Sequence, residues 1–153
     1  MERLAHAMTC LGKFRRLSSG DQRLLVMAAV LLAAIRLGLA VLPYRKIRGL
    51  VDHLARVGSR HHPAPTASPE RIAWAVTRAS HAVPAATCLP QALAARVLLE
   101  RRGHPARVRV GISRTEGDRL LAHAWVESEG RIVLGGADLA RYTRLSALEA
   151  ETG

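Results

Sequence analysis

The setting of Cys88 points to thiol chemistry. The segment Thr87-Cys88-Leu89-Pro90-Gln91 reads as the first turn of a helix, with Thr87 as its cap. Pro90 fits there because the first N–H groups of a helix have no intrahelical partner. At this end the helix dipole favours a thiolate, and unpaired N–H groups can face an oxyanion. We consider Gln91 as a further donor but assign it no catalytic role. A cysteine that packs only as a small hydrophobic residue is the alternative.

His123 is a candidate base for this thiol. It lies in a predicted strand, where its side chain alternates with those of Ala122 and Ala124. A buried imidazole in an apolar strand needs a polar partner, and a thiolate is one such partner. The small neighbouring side chains leave room for another element to approach. A structural histidine of the core, satisfied by other groups, is the alternative.

A third group should orient the imidazole, and a carboxylate after the next strand is suitably placed. Asp138 follows a predicted strand at Arg131–Leu134 and the pair Gly135-Gly136. Glu127, on the same strand face as His123, and Glu129 are competing candidates. We prefer Asp138, so the predicted catalytic residues are Cys88, His123 and Asp138.

The elements that position these residues change character along the chain. Apolar residues recur with a helical period in the first half and alternate with polar residues in the second half. We therefore expect an α+β fold. The predicted helices are an apolar run at Leu24–Leu42, Tyr44–Val57, a helix that begins after Ser68 and stops before Pro84, and Leu89–Arg102. The predicted strands, which form an antiparallel sheet, are Ala106–Ile112, Leu120–Glu127 and Arg131–Leu134. A proline-rich stretch at 58–69 lies between the second and third of these helices and is typical of a linker or an extended loop.

The apolar run at Leu24–Leu42 is long enough to suggest a membrane span. Arg36 lies well inside it, and basic residues flank both ends. We therefore expect a helix that packs within the protein or against a partner, with a helix on a membrane surface as the alternative.

Composition limits the remaining classes of function and partner. The net charge is +11, which favours an acidic partner without identifying it, and the five aromatic residues are too few for a nucleic-acid stacking platform. The two cysteines are far apart, and the pair His61-His62 lacks a third metal ligand. Charges within residues 1–14 predict no signal peptide, so a cytoplasmic location is expected.

Several motifs together resemble the transglutaminase-like leader peptidases of lasso-peptide biosynthesis. The resemblance is most specific over residues 88–145 and continues more loosely through the helical half. The motifs are Cys88-Leu89-Pro90-Gln91-Ala92-Leu93, Gly103-His104-Pro105-Ala106, Ala122-His123-Ala124-Trp125-Val126-Glu127 and Gly135-Gly136-Ala137-Asp138 with Tyr142.

The resemblance implies a transglutaminase/papain-like core in which the nucleophile helix packs on a small antiparallel sheet. It implies that Cys88 is the nucleophile, His123 the base and Asp138 the orienting acid, with neither metal nor organic cofactor. A position that is often acidic in relatives, twelve residues after the histidine, is Gly135 here.

The resemblance also implies an activity and partners. The activity is removal of the leader from a ribosomally made precursor, before a separate macrolactam synthetase closes the ring. The stand-alone protease form needs a separate leader-recognition protein. We expect residues 1–62 to bind leader and partner, residues 63–153 to form the protease core, and loss of residues 1–42 to leave the sheet folded.

Two other functions remain open. The same residues could form amides, as in transglutaminase-like acyltransferases, since an acyl-enzyme is common to both reactions. A basic, non-enzymatic module that binds nucleic acid or membrane is the other, although the basic residues are scattered and no nucleic-acid motif is present.

Overall fold

The computed structural model describes residues 17–59, 67–114, 119–137 and 139–144. Four helices come first and a small sheet follows. The helices are α1 (Ser19–Val41), α2 (Tyr44–Ser59), α3 (Pro69–Ser80) and α4 (Cys88–Glu100). The strands are β1 (Ala106–Arg114), β2 (Leu120–Ser128), β3 (Arg131–Leu134) and β4 (Thr143–Arg144), with a 3-10 turn at Leu139–Arg141 before β4. The predicted order of helices followed by an antiparallel sheet is confirmed.

Local sequence signals determine where the helices begin. The Ser18 side chain caps α1 by accepting from the Asp21 N–H at 3.1 Å. The Ser68 side chain caps α3 in the same way, and Pro69 occupies the first helical position, where it needs no donor. The helix start after Ser68 is the one that the sequence predicts, whereas α1 begins five residues before the predicted apolar run.

The sheet is antiparallel, and its strands lie in the order β3-β2-β1-β4. The strands β1 and β2 pair along their whole length, from Ala106 opposite Ser128 to Arg114 opposite Leu120. By contrast, β3 pairs only with the last residues of β2, from Val126 onward, and the register shifts after Val126. The edge of β2 on the β3 side is therefore not covered by strand pairing at Ala124 and before it.

Helix α4, which begins at Cys88, lies at the centre of the core. It contacts α1, α2 and α3 as well as β1 and β2, so it packs on the sheet as expected. Because neighbours surround it, α4 is apolar on nearly every side rather than on one stripe. Its buried residues are Pro90, Ala92, Leu93, Ala94, Ala95, Val97, Leu98 and Leu99.

Helix α1 has one buried face and one exposed face, and both are apolar. The buried face carries Leu24, Ala28, Leu32 and Ile35, which are part of the main core. The opposite face exposes between 51% and 70% of the side chains of Val26, Val30, Leu37 and Val41. Within the described residues, α1 alone is long and apolar enough to cross a membrane, with a mean hydropathy of 2.5. Only one side of the apolar run therefore packs within the protein.

The hydrophobic core is continuous across the predicted boundary at residue 62. It joins residues of α1 and α2 to residues of α3, α4 and the sheet. The deletion of residues 1–42 would remove four of these buried residues, so this packing argues against a sheet that stays folded without them, and that expectation stays a prediction. The division into a binding region at 1–62 and a protease core at 63–153 stays a prediction about function. His61 and His62 lie outside the described residues.

Candidate active site

Cys88 occupies the position that the sequence predicts, as the first residue of α4. Thr87 is at the cap position, but its side chain makes no capping hydrogen bond, in contrast to the prediction. A tight turn precedes it, in which Ala85 has a φ of 57° and the Thr87 N–H donates to the Ala85 carbonyl at 2.9 Å. This turn fixes the backbone just before the thiol, which is half-buried.

The first turn of α4 leaves a backbone donor next to the thiol. Pro90 has no N–H, and the Gln91 N–H already bonds the Thr87 carbonyl. The described part of the chain offers no acceptor for the Cys88 N–H. The Gln91 side chain turns back to donate to the Ala86 carbonyl at 2.7 Å, which agrees with its exclusion from the catalytic set. The Cys88 N–H is therefore the donor best placed for an oxyanion.

His123 lies in β2, and its hydrogen bond defines which ring nitrogen carries the proton. The Nε2 atom is 2.8 Å from the carbonyl oxygen of Gly135. A carbonyl oxygen only accepts, so Nε2 must donate. In the neutral ring the proton is therefore on Nε2, and Nδ1 keeps a lone pair. When the ring is neutral, Nδ1 is therefore the nitrogen that can accept a proton.

Cys88 and His123 lie on the walls of one cleft. Its volume is about 230 Å³. No hydrogen bond joins the thiol and the imidazole among the described residues, an arrangement common in active sites that hold no substrate. The other lining residues are Tyr44, Leu89, Val110, Ala122 and Ala124. Apart from one phenol, these side chains are apolar and small to medium in size, as suits a site that excludes water around an acyl intermediate.

The chain is similar to a known family along most of its length. A family model described as the transglutaminase-like superfamily matches residues 29–147, which is most of the chain. The chain belongs to the transglutaminase-like superfamily. No curated protein and no solved structure gives a significant match. The matched residues begin within α1, so the transglutaminase-like match includes helices from both predicted regions.

Two of the predicted residues of this transglutaminase-like site lie in one cleft, and the third cannot be placed. Cys88 and His123 are together, whereas Asp138 lies outside the described residues. Of the competing acids, Glu127 accepts from the Trp125 indole at 3.2 Å and from the Arg109 guanidinium at 3.0 Å. The other competitor, Glu129, lies against His104 instead. The group that holds His123 in the structure is a backbone carbonyl.

Glu129 sits in the turn between β2 and β3 and faces another histidine. Its carboxylate is 3.3 Å from Nδ1 of His104, a buried residue whose Nε2 donates to the Ala67 carbonyl at 2.9 Å. This contact joins the turn to the start of β1 and to the segment before α3. His104, which the sequence analysis placed only in a family motif, is thus part of the scaffold.

Aromatic rings flank the imidazole. The Tyr142 ring is 5.1 Å from that of His123 between centroids, with 32° between the planes, and Trp125 is 6.4 Å away at 21°. Trp125 is buried, so it forms a fixed support for the imidazole. These contacts restrict the orientations of the ring.

Tyr44 is a cleft residue that the sequence analysis did not identify. It is the first residue of α2, immediately after Pro43, and it is half-buried in the cleft that Cys88 and His123 line. Because α2 packs against α4, its first residue reaches the wall that carries Cys88. The helical half therefore contributes directly to this transglutaminase-like site.

Proposed function

We propose that the protein is a cysteine peptidase that removes the leader from a ribosomally made lasso-peptide precursor. The observation that carries the proposal is that Cys88, at the start of a buried helix, and His123, whose Nε2 donates to the Gly135 carbonyl, line one cleft. Membership of a superfamily that includes cysteine peptidases supports a thiol mechanism. The motifs described in the sequence support the choice of substrate.

The proposed reaction forms and then hydrolyses a thioester. Nδ1 of His123 takes the thiol proton of Cys88, and the thiolate attacks the carbonyl carbon at the leader–core junction. The oxyanion accepts from the Cys88 N–H, and its collapse breaks the C–N bond while the imidazolium protonates the leaving amine. A water molecule then attacks the thioester and gives its proton to Nδ1. The thiolate leaves, and the leader departs as a carboxylic acid.

The third catalytic residue stays a prediction. Asp138 is the acid that the sequence favours, and it follows Gly135 by three positions. Neither a metal ion nor an organic cofactor enters the proposed steps, because the acyl group is carried by sulfur throughout. We place the reaction in the cytoplasm, where a catalytic thiol stays reduced.

The proposed partners are the precursor peptide and a separate leader-recognition protein, with the macrolactam synthetase acting on the released core. The exposed face of α1 supports a partner on the helical half, because it presents apolar side chains to solvent. No acidic residue occurs between Asp21 and Asp52, so this surface suits a partner with acidic groups beside its apolar ones. Replacing Leu37 with Asp should weaken that association, whereas the equally exposed Leu120, on β2, offers a matched control.

The test is leader release, followed by mass spectrometry with a lasso-type precursor and its recognition protein. Wild type should cut at one junction, and the Cys88→Ala and His123→Ala variants should not. Cys10→Ala is the matched control, because it removes the other cysteine and should retain cleavage. Cleavage that survives Cys88→Ala would exclude the thiol mechanism.

Amide-forming acyl transfer is the second candidate, and membership of the transglutaminase-like superfamily favours it. The two reactions share the thioester and differ in whether water or an amine attacks it. Addition of a primary amine to the cleavage reaction separates them. Incorporation of the amine at the acyl carbon, in preference to hydrolysis, would assign the chain as a transferase.

A further inference from the structure

We propose that the backbone carbonyl of Gly135 is the group that orients His123, in place of a side-chain carboxylate. The inference rests on the proposed function, because it concerns the same catalytic pair. It makes Gly135 a positioning residue: its carbonyl acts through the imidazole and does not touch the substrate. It also predicts that Asp138 is dispensable for orienting the base.

The first support is the hydrogen bond itself. The distance of 2.8 Å between Nε2 and the Gly135 oxygen is that of a well-formed hydrogen bond. The acceptor fixes the tautomer, since only a protonated Nε2 can satisfy a carbonyl oxygen. This is the task that an aspartate performs in a catalytic triad, where it selects the tautomer and holds the ring.

The second support is the backbone that presents this carbonyl. Gly135 has a φ of +75°, which lies in the left-handed region that favours glycine. A Cβ atom there would lie 2.9 Å from the Ala124 carbonyl oxygen and 3.1 Å from Trp125 Cα. The chain after β3 is thus pressed against β2 at the residues that directly follow His123. Any side chain at this position would push the carbonyl away from the imidazole.

The third support is the sheet edge that allows this contact. Pairing between β3 and β2 ends at Val126, so the backbone of β2 near Ala124 is open to the chain that leaves β3. Gly135, the first residue after that strand, packs directly against this edge. Its carbonyl is therefore held by two backbone segments, which position it more rigidly than rotatable bonds would position a carboxylate.

The experiment measures the tautomer of His123 in the resting protein by long-range 15N NMR, with His123→Ala to assign the signals. We expect a protonated Nε2 and an unprotonated Nδ1 in wild type. Gly135→Ala should abolish this single tautomer and lower kcat about 100-fold, as expected for a displacement of about 1 Å. Gly130→Ala is the matched control: its φ is +76°, but nothing lies within 4 Å of the added Cβ. It should leave both signals and kcat unchanged.

Asp138→Asn decides between the two orienting groups, even if Gly135→Ala does not fold. We expect this variant to keep the wild-type tautomer, because the Gly135 carbonyl still accepts from Nε2. Loss of an orienting aspartate from a triad lowers kcat by about 10⁴-fold, so a loss of that size would overturn the inference. A neutral wild-type ring that carries its proton on Nδ1 and not on Nε2 would overturn it as well. The tautomer is measured without substrate. Failure to cleave a lasso precursor would therefore reject the proposed function but would not change the conclusion about the group that orients His123.

Discussion

Replacing Leu32 with Ala is expected to destabilise the sheet as well as the helices. Leu32 lies in α1 with none of its side chain exposed, on the face that packs into the main core. Truncation of a buried leucine to alanine costs about 2–5 kcal/mol. Full burial places this site near the middle of that range, at about 3 kcal/mol. Domains are typically stable by only about 5–15 kcal/mol, so the loss is a large fraction of the total.

The assay is urea unfolding, followed at the same time by helical circular dichroism and by tryptophan fluorescence. In a Trp74→Phe background the remaining tryptophan is Trp125, which is buried in β2 and reports on the sheet. With a typical urea dependence of about 1–3 kcal/mol per molar, both signals should shift together by roughly 1–3 M. Val30→Ala is the matched control on the same helix: that side chain is 62% exposed, and its loss should cost no more than about 0.5 kcal/mol.

The outcome distinguishes a shared core from two folding units. A shift of the helical signal with an unchanged Trp125 transition would refute the reasoning. It would mean that α1 is an appendage to a sheet domain that folds independently, as the predicted boundary at residue 62 implied.

Three further predictions follow from other contacts. Arg71 holds the pKa of Asp21 at about 2, below its usual value, so stability present above about pH 4 should fall as the pH drops towards 2. In the Asp21→Asn variant, the free energy of unfolding measured against pH should no longer show that loss. A pH profile identical to that of wild type would contradict the prediction. Asp52→Asn should cost about 1–3 kcal/mol in urea unfolding, because Arg96, 2.7 Å away and with a side chain only 13% exposed, loses a carboxylate. Tyr142→Ala should lower kcat for cleavage by up to about tenfold, since an aromatic pair contributes about 0.5–1.5 kcal/mol, while Tyr142→Phe should keep the ring contact and the rate.

The features that the sequence predicts well are those with a local cause. Ser68 followed by Pro69 predicts a helix start, because the serine side chain can accept a backbone hydrogen bond and the proline ring fixes φ. In the structure Ser68 accepts that hydrogen bond and Pro69 is the first helical residue. The alternation around His123 predicts a strand because neighbouring side chains must face opposite sides of a sheet. Placing Cys88 at a helix start needs only the pattern of the residues around it. For this reason the two residues with the clearest local signals are those found in the cleft.

The features that the sequence misses depend on how elements meet. The Gly135 carbonyl has no signature in the sequence, because every residue has a backbone carbonyl. Only the fold determines which of these carbonyls faces the imidazole. Thr87 shows the limit of local rules, since it has the residue type and position of a cap but makes no capping bond. The preference for Asp138 stays a prediction that rests on side-chain acids, because no residue type in a sequence marks a backbone acceptor.

The packing of α4 argues that the helical half belongs to the catalytic unit. The thiol is at the end of a helix that contacts α1, α2 and α3 as well as the sheet, so the position of Cys88 depends on all of them. Tyr44 adds a direct contribution, because a residue of α2 forms part of the cleft wall. A catalytic pair on packed elements keeps its geometry only while those elements stay packed. Deleting residues 1–42 would therefore abolish cleavage by disturbing the core, whether or not those residues bind a partner, and single substitutions on the exposed face of α1 are the cleaner test of partner binding.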